Sequence, residues 1–235
     1  MPQDLRSRFP FPRLSAVVKK LLYGLTACYV AQLVAQNWLG VNVVSWLALR
    51  PGRLEPWQLL TYVLVDGGHP MMFMFGLLFL WWALSPFEIA YGPLRVLQLS
   101  LCCVLGASVP ADLVGFALPG SPPLYGSSAL WFGGIAATSW LYRDQQMSLF
   151  GMLQLSGKQF LYVLLAMSAL SFLFDKDHTQ LVASLGAIGA AIAFTRWMKR
   201  PRRPQATRKP SGRPRSFKVI EGGGGNDDGR PKWLN

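Results

Sequence analysis

Charged residues are absent from six long stretches of this chain, and those stretches predict its architecture. None stands between Lys20 and Arg50. The run from Asp66 to Glu88 is dominated by Met, Phe, Leu and Trp. Arg95 to Asp112, Asp112 to Arg143, Lys158 to Asp175 and His178 to Arg196 enclose the others. A bilayer core asks for about 20 apolar residues per helix. The windows therefore predict six helical spans, at about 16–37, 70–91, 94–115, 127–142, 157–174 and 178–196. Gly67, Gly68 and Pro70 break the start of the second, and Pro86 is placed to kink its end. A soluble bundle of helices apolar all round is the alternative. Too little polar surface remains to cover one.

Two stretches between spans are irregular. Segment 39–65 is apolar but broken by Pro51, Gly52 and Pro56, and is long for a helix connection. Non-helical backbone at membrane depth must be buried in protein or line a wet cavity. The expectation is an irregular loop lying partly in the outer leaflet, against the bundle. Segment 106–126 carries four prolines and is expected to cover the fourth span from the outer side.

Composition supports a membrane protein. Of 235 residues, 51% are apolar and 14% charged, against about 25% charged in a soluble domain. The net charge is +12. With both termini cytoplasmic, six spans leave only Arg50, Arg53 and Lys176 outside, and every other Lys and Arg of the 23 inside. Trp81, Trp82, Trp140, Tyr142 and Trp197 then fall near the inner boundary, as an aromatic belt would. The organisation expected is a basic N-terminus at 1–14, a membrane domain at 15–198 and a disordered basic tail at 199–235. No secretory signal peptide is evident. The tail is rich in Pro and Arg, suited to anionic lipid headgroups and to no specific nucleic acid. Cys28, Cys102 and Cys103 read as small buried hydrophobes, and two His exclude most His-rich metal sites. No metal and no cofactor are expected.

The fourth span opens on GSSALWFGG (Gly126–Gly134), and the sixth carries Ala183, Ser184, Gly186, Ala187, Gly189 and Ala190. Small residues let membrane helices approach closely, so spans four and six are expected to pack together. These stretches also carry a resemblance. PWQLLTYVLVDGG (Pro56–Gly68), the Glu-x-x-x-Gly step of Glu88 and Gly92, YGSSALWFGG and LVASLGAIGAA, in this order, resemble the rhomboid family of intramembrane serine proteases. The resemblance runs over about residues 15–196 and leaves the tail uncovered.

The family's chemistry is a Ser–His dyad inside the bundle, opened to water from the outer side. The resemblance places the nucleophile at Ser128, followed by Ala129 where the family has Gly. It places the general base at Ser184 or its neighbours Val182 and Ala183, none of which is a base. The oxyanion Asn of the second span falls on Gly76, the His four residues before it on Met72, and a further His on Asp66. Two other histidines are candidate bases: His69 beside the Gly-Gly step, and His178, an exposed first-turn residue about six positions before Ser184.

A serine hydroxyl without a base is a poor nucleophile, and losing members of a catalytic unit together leaves little activity. The chain therefore reads as an all-α, six-span rhomboid-like bundle in the bacterial cytoplasmic membrane. The expected activity is non-proteolytic binding of client transmembrane helices within the bilayer. The alternative is an intramembrane serine protease with an unusual base. A transporter is disfavoured because the spans hold no Asp, Glu, Lys or Arg in their interiors except Glu88 near the inner edge.

Overall fold

The structure is a computed structural model that describes residues 15–199 apart from 54, 68, 69 and 150–152. Six long helices form where charge is excluded. They are α1 (Ala16–Trp38), α4 (Pro70–Tyr91), α5 (Pro93–Ala117), α6 (Ser128–Leu141), α7 (Gly157–Asp175) and α8 (His178–Lys199). Two short helices, α2 (Val43–Leu47) and α3 (Gln58–Thr61), and a 3-10 turn (Tyr62–Leu64) occupy the segment between α1 and α4. Five of the long helices are long and apolar enough to cross a membrane. The sixth, α6, has 14 residues and is about 21 Å long, too short to count with them. The 1–14 segment, the tail from 200 and His69 lie outside the described residues.

The short helix is the centre of the bundle. Every residue of α6 from Ala129 to Ser139 except Trp131 is buried, and it packs against α4, α5, α7 and α8. The end of α6 is level with the start of α7. A Cβ on Gly157 would fall 2.3 Å from the Ser139 carbonyl oxygen. At 19 residues, α7 is about 28 Å long, so it overruns α6 at the opposite end and leaves Ser128 recessed by about one turn. That end, which also carries the starts of α4 and α8, is the site end below.

The expected pairing of the fourth and sixth spans is present: a Cβ on Gly133 would stand 3.6 Å from the Ala187 carbonyl oxygen. A tighter crossing joins α5 to α8. A Cβ on Gly186 would fall 2.1 Å from the Gly106 carbonyl oxygen, and one on Gly106 would fall 3.0 Å from that of Gly186. This crossing corrects the sequence reading of 106–126, because α5 continues through Pro110 to Ala117. Proline removes the hydrogen bond to the carbonyl four residues back, which is that of Gly106. That carbonyl faces the Gly186 backbone instead, in position for a Cα–H···O contact. Only 118–127 is irregular.

Segment 39–65 is tied down by polar bonds. Leu49 and Leu124 exchange two backbone bonds of 2.9 Å. Gln58, 1% exposed, accepts from the Arg50 N–H at 3.0 Å and donates to the Trp46 carbonyl at 3.2 Å. The Tyr62 hydroxyl donates to the Val104 carbonyl on α5 at 3.1 Å. Trp46, Trp57, Leu60 and Leu64 remain exposed on this segment.

At the far end, the Glu88 and Gly92 pair has a structural role. The Glu88 carboxylate, buried on α4, accepts the N–H groups of Val17 and Val18, both at 3.0 Å, and the Ser15 hydroxyl. It thereby caps α1, whose own N-cap Ser15 makes no side-chain cap bond. Gly92, at φ +86°, donates its N–H to the Glu88 carbonyl at 2.8 Å and ends α4. Removing a buried acceptor strands its donors at about 1–3 kcal/mol. Glu88→Ala is therefore expected to lower the thermal midpoint in detergent, and Glu88→Gln to lower it less. Equal midpoints for Glu88→Ala and wild type would refute the cap.

An antiparallel hairpin of β1 (Gln146–Leu149) and β2 (Leu153–Ser156) joins α6 to α7. It is a small departure from the all-helical expectation. Beside it, Lys158 and Arg143 hydrogen-bond Asp144 and hold its carboxyl below the usual range. The group is exposed and contributes little to stability. Arg143 and Arg196 both lie over the Trp140 ring, and Arg95 over Trp197. Trp82 departs from the belt expected of it: it is buried, with its ring 5.4 Å from that of Phe160.

Candidate functional site

The chain turns into α6 at a glycine. Gly126 has φ +98° and donates its N–H to the Tyr62 carbonyl at 3.1 Å. A side chain there is strained, and a Cβ would meet the Asp66 carboxylate at 3.6 Å. Ser127 follows, buried, with its carbonyl accepting from Leu130 and Trp131. Ser128 is the first residue of α6 and half-buried. A helix start presents N–H groups with no intrahelical partner and a positive dipole end. Negative charge developing beside Ser128 is stabilised by that backbone.

The side chain that reaches Ser128 is Gln180. Its Nε2 donates to Ser128 Oγ at 3.3 Å. The backbone of Gln180 is fixed by Asp177, whose Oδ1 accepts the Gln180 N–H at 3.0 Å, in the manner of an N-cap for α8. Ser184, where the resemblance puts the base, lies one turn further along α8 and donates to the Leu181 carbonyl of its own helix at 2.9 Å. Val182 and Ala183 bring no polar side chain. Gln180 and Ser184 line a cavity of about 20 Å³ with Phe132, Ser168, Asp175 and Asp177, room for about one water.

Gly76 faces the site. A Cβ there would stand 3.5 Å from Ser127 Oγ and 3.9 Å from Trp131 Nε1, so the position expected of an oxyanion donor is present but has no side chain. Met72 lies in the first turn of α4. It is 70% exposed, because none of the described residues packs over that side of the turn. Phe73 takes the buried place and stacks on Tyr29 at 4.1 Å. His178 is exposed, its ring 4.9 Å from that of Phe172. Two residues before Gln180, it points about 200° away around the helix.

Sequence reasoning missed two glutamines. Gln32, 3% exposed on α1, holds the Asp66 backbone from both sides. It donates to the carbonyl at 2.6 Å and accepts the N–H at 2.9 Å. Gln32 is an amide inside an apolar window, and a polar side chain there signals a partner inside the bundle, whereas Gln180 follows Asp177, His178 and Thr179 and carries no such signal.

The Rhomboid domain family matches residues 53–201, more than half of the chain. No curated protein matches it.

Proposed function

Because the chain belongs to the rhomboid family, we propose that it is a non-proteolytic member that holds client transmembrane helices within the bilayer. It is an integral, multi-pass membrane protein. The reading rests on one observation, the amide of Gln180 on Ser128 Oγ. A carboxamide donates a hydrogen bond but does not take a proton at neutral pH, so the serine keeps its own. The empty oxyanion position at Gly76 weakens hydrolysis further.

The start of α4 supports a client role. Met71, Met72 and Met74 are each exposed beside Phe75, and flexible Met surfaces accommodate varied apolar partners. Ser128 and Gln180 are suited to hydrogen-bond an unwound client backbone. We read α6, the fourth in chain order, as a span as well, which makes six, recessed at the site end, with both termini on the cytoplasmic side. The Lys and Arg bias that carries this topology leaves only Arg50, Arg53 and Lys176 at the site end.

A fluorophosphonate probe and a photo-crosslinker test the proposal together. The reconstituted full chain is expected to show no Ser128-dependent labelling. A crosslinker at Met72 is expected to capture a single-span helix carrying a Gly-Pro break, while one at Tyr162 on α7 does not. Labelling lost in Ser128→Ala, with cleavage of the same helix, would instead establish a protease.

A further inference from the structure

A second site lies in the segment between α1 and α4, away from Ser128. Arg50, Pro51, Gly52 and Arg53 form a tight turn, closed by the Arg53 N–H on the Arg50 carbonyl at 3.3 Å. Pro in the second place and Gly in the third, at φ +83°, is the pattern of a type II turn. Such a turn brings its first and last Cα within about 7 Å, so two guanidinium groups share one small structure.

That structure is rigidly placed. The Gly52 N–H donates to Asp112 Oδ1 on α5 at 2.8 Å, and the Arg50 N–H to Gln58 Oε1 at 3.0 Å. A Cβ on Gly115 would fall 2.2 Å from the Pro51 carbonyl carbon, so turn and helix touch at the backbone. The turn forms one wall of a cavity of about 330 Å³, and Gly120, Ser121 and Pro123 form the other.

Among the described residues, neither guanidinium of this cavity is paired with a carboxylate. The carboxylates of Asp112 and Glu55 in this region turn to neutral donors, the Gly52 N–H and the Gln58 amide, and keep their charge without reaching either guanidinium as an ion pair. Two arginines at a concave site match the geometry of phosphate oxygens. The volume exceeds the need of a bare phosphate and falls in the range of small-molecule sites. Trp46 and Trp57 on the same segment are 72% and 55% exposed. Tryptophans of this kind sit at headgroup level, and Leu60 and Phe116, also exposed, offer apolar surface for acyl chains.

We propose that the cavity beside the Arg50–Arg53 turn binds the phosphate of an anionic phospholipid from the leaflet at the site end. The two positive charges favour phosphatidylglycerol over phosphatidylcholine, whose ammonium group they repel.

Native mass spectrometry of the full chain, released from micelles containing either lipid, tests this. Wild type is expected to retain one phosphatidylglycerol more than Arg50→Gln/Arg53→Gln, with affinity at that site weakened at least about tenfold in the variant. Ser121→Trp, which fills the cavity and leaves both arginines, is expected to lose the same lipid, so the test survives if the charge variant does not fold. Equal phosphatidylglycerol occupancy in wild type and both variants would overturn the proposal. Inorganic phosphate that displaces the lipid, or stabilises lipid-free protein as strongly, would overturn the lipid as the source.

Discussion

Replacing Gln180 with histidine is expected to make Ser128 reactive toward a fluorophosphonate. The amide nitrogen of Gln180 stands 3.3 Å from Ser128 Oγ, and the Nε2 of a histidine has a similar reach from the same backbone. The exchange puts a group of pKa about 6.5 where one without basicity now stands. A positioned general base contributes about 10²–10⁴-fold. Labelling is expected to rise by at least about a hundredfold over wild type, to increase with pH as the imidazole loses its proton, and to vanish in Gln180→His/Ser128→Ala. Proteolysis is expected to lag behind labelling, since Gly76 still supplies no oxyanion donor. A folded Gln180→His protein that labels no faster than wild type would show that the Ser128–Gln180 pair does not occupy a dyad geometry.

The position of this pair was hidden in the sequence for a physical reason. The segment LVASLGAIGAA draws attention to residues 182–184, whose small side chains form the helix seam. Gln180 lies one turn before Ser184 on the same face, and its longer side chain reaches Ser128 at the start of α6. In the sequence it is a polar residue in the first turn of a helix, where solvated polar groups are ordinary. Gly76 and Met72 show the same limit. One turn apart, they share a helix face by spacing, yet Gly76 meets α6 while no described residue covers Met72.

The helices themselves were legible, because lipid excludes charge and the gaps between charges mark them to within a few residues. The extension of α5 past Pro110 was not. A proline followed by Pro119, Pro122 and Pro123 argues locally for an irregular chain. The crossing at Gly106 and Gly186 gives the freed carbonyl a neighbour and overrides that argument. The cap of α1 by Glu88 was invisible too, since it joins residues 70 and 71 positions apart.

That crossing carries the largest expected effect on folding. Gly186→Leu places a Cβ 2.1 Å from the Gly106 carbonyl oxygen and 3.3 Å from Pro110 Cγ. The first obstacle is backbone, which gives way only if α5 and α8 separate. Separation also opens the contact of Gly133 with α8 and shifts the helix that carries Gln180. Overpacking costs about 1–3 kcal/mol where side chains yield; here helices must move, so the loss is expected at or beyond the upper end. Gly189 lies less than one turn further along α8, and a Cβ there meets nothing within 4 Å. Gly189→Leu is expected to leave the thermal midpoint near that of wild type, while Gly186→Leu lowers it sharply or prevents recovery of monodisperse protein from detergent. Matching midpoints for the two leucine variants would mean that α5 and α8 do not meet at Gly106 and Gly186, and the account of Pro110 within α5 would fall with the crossing.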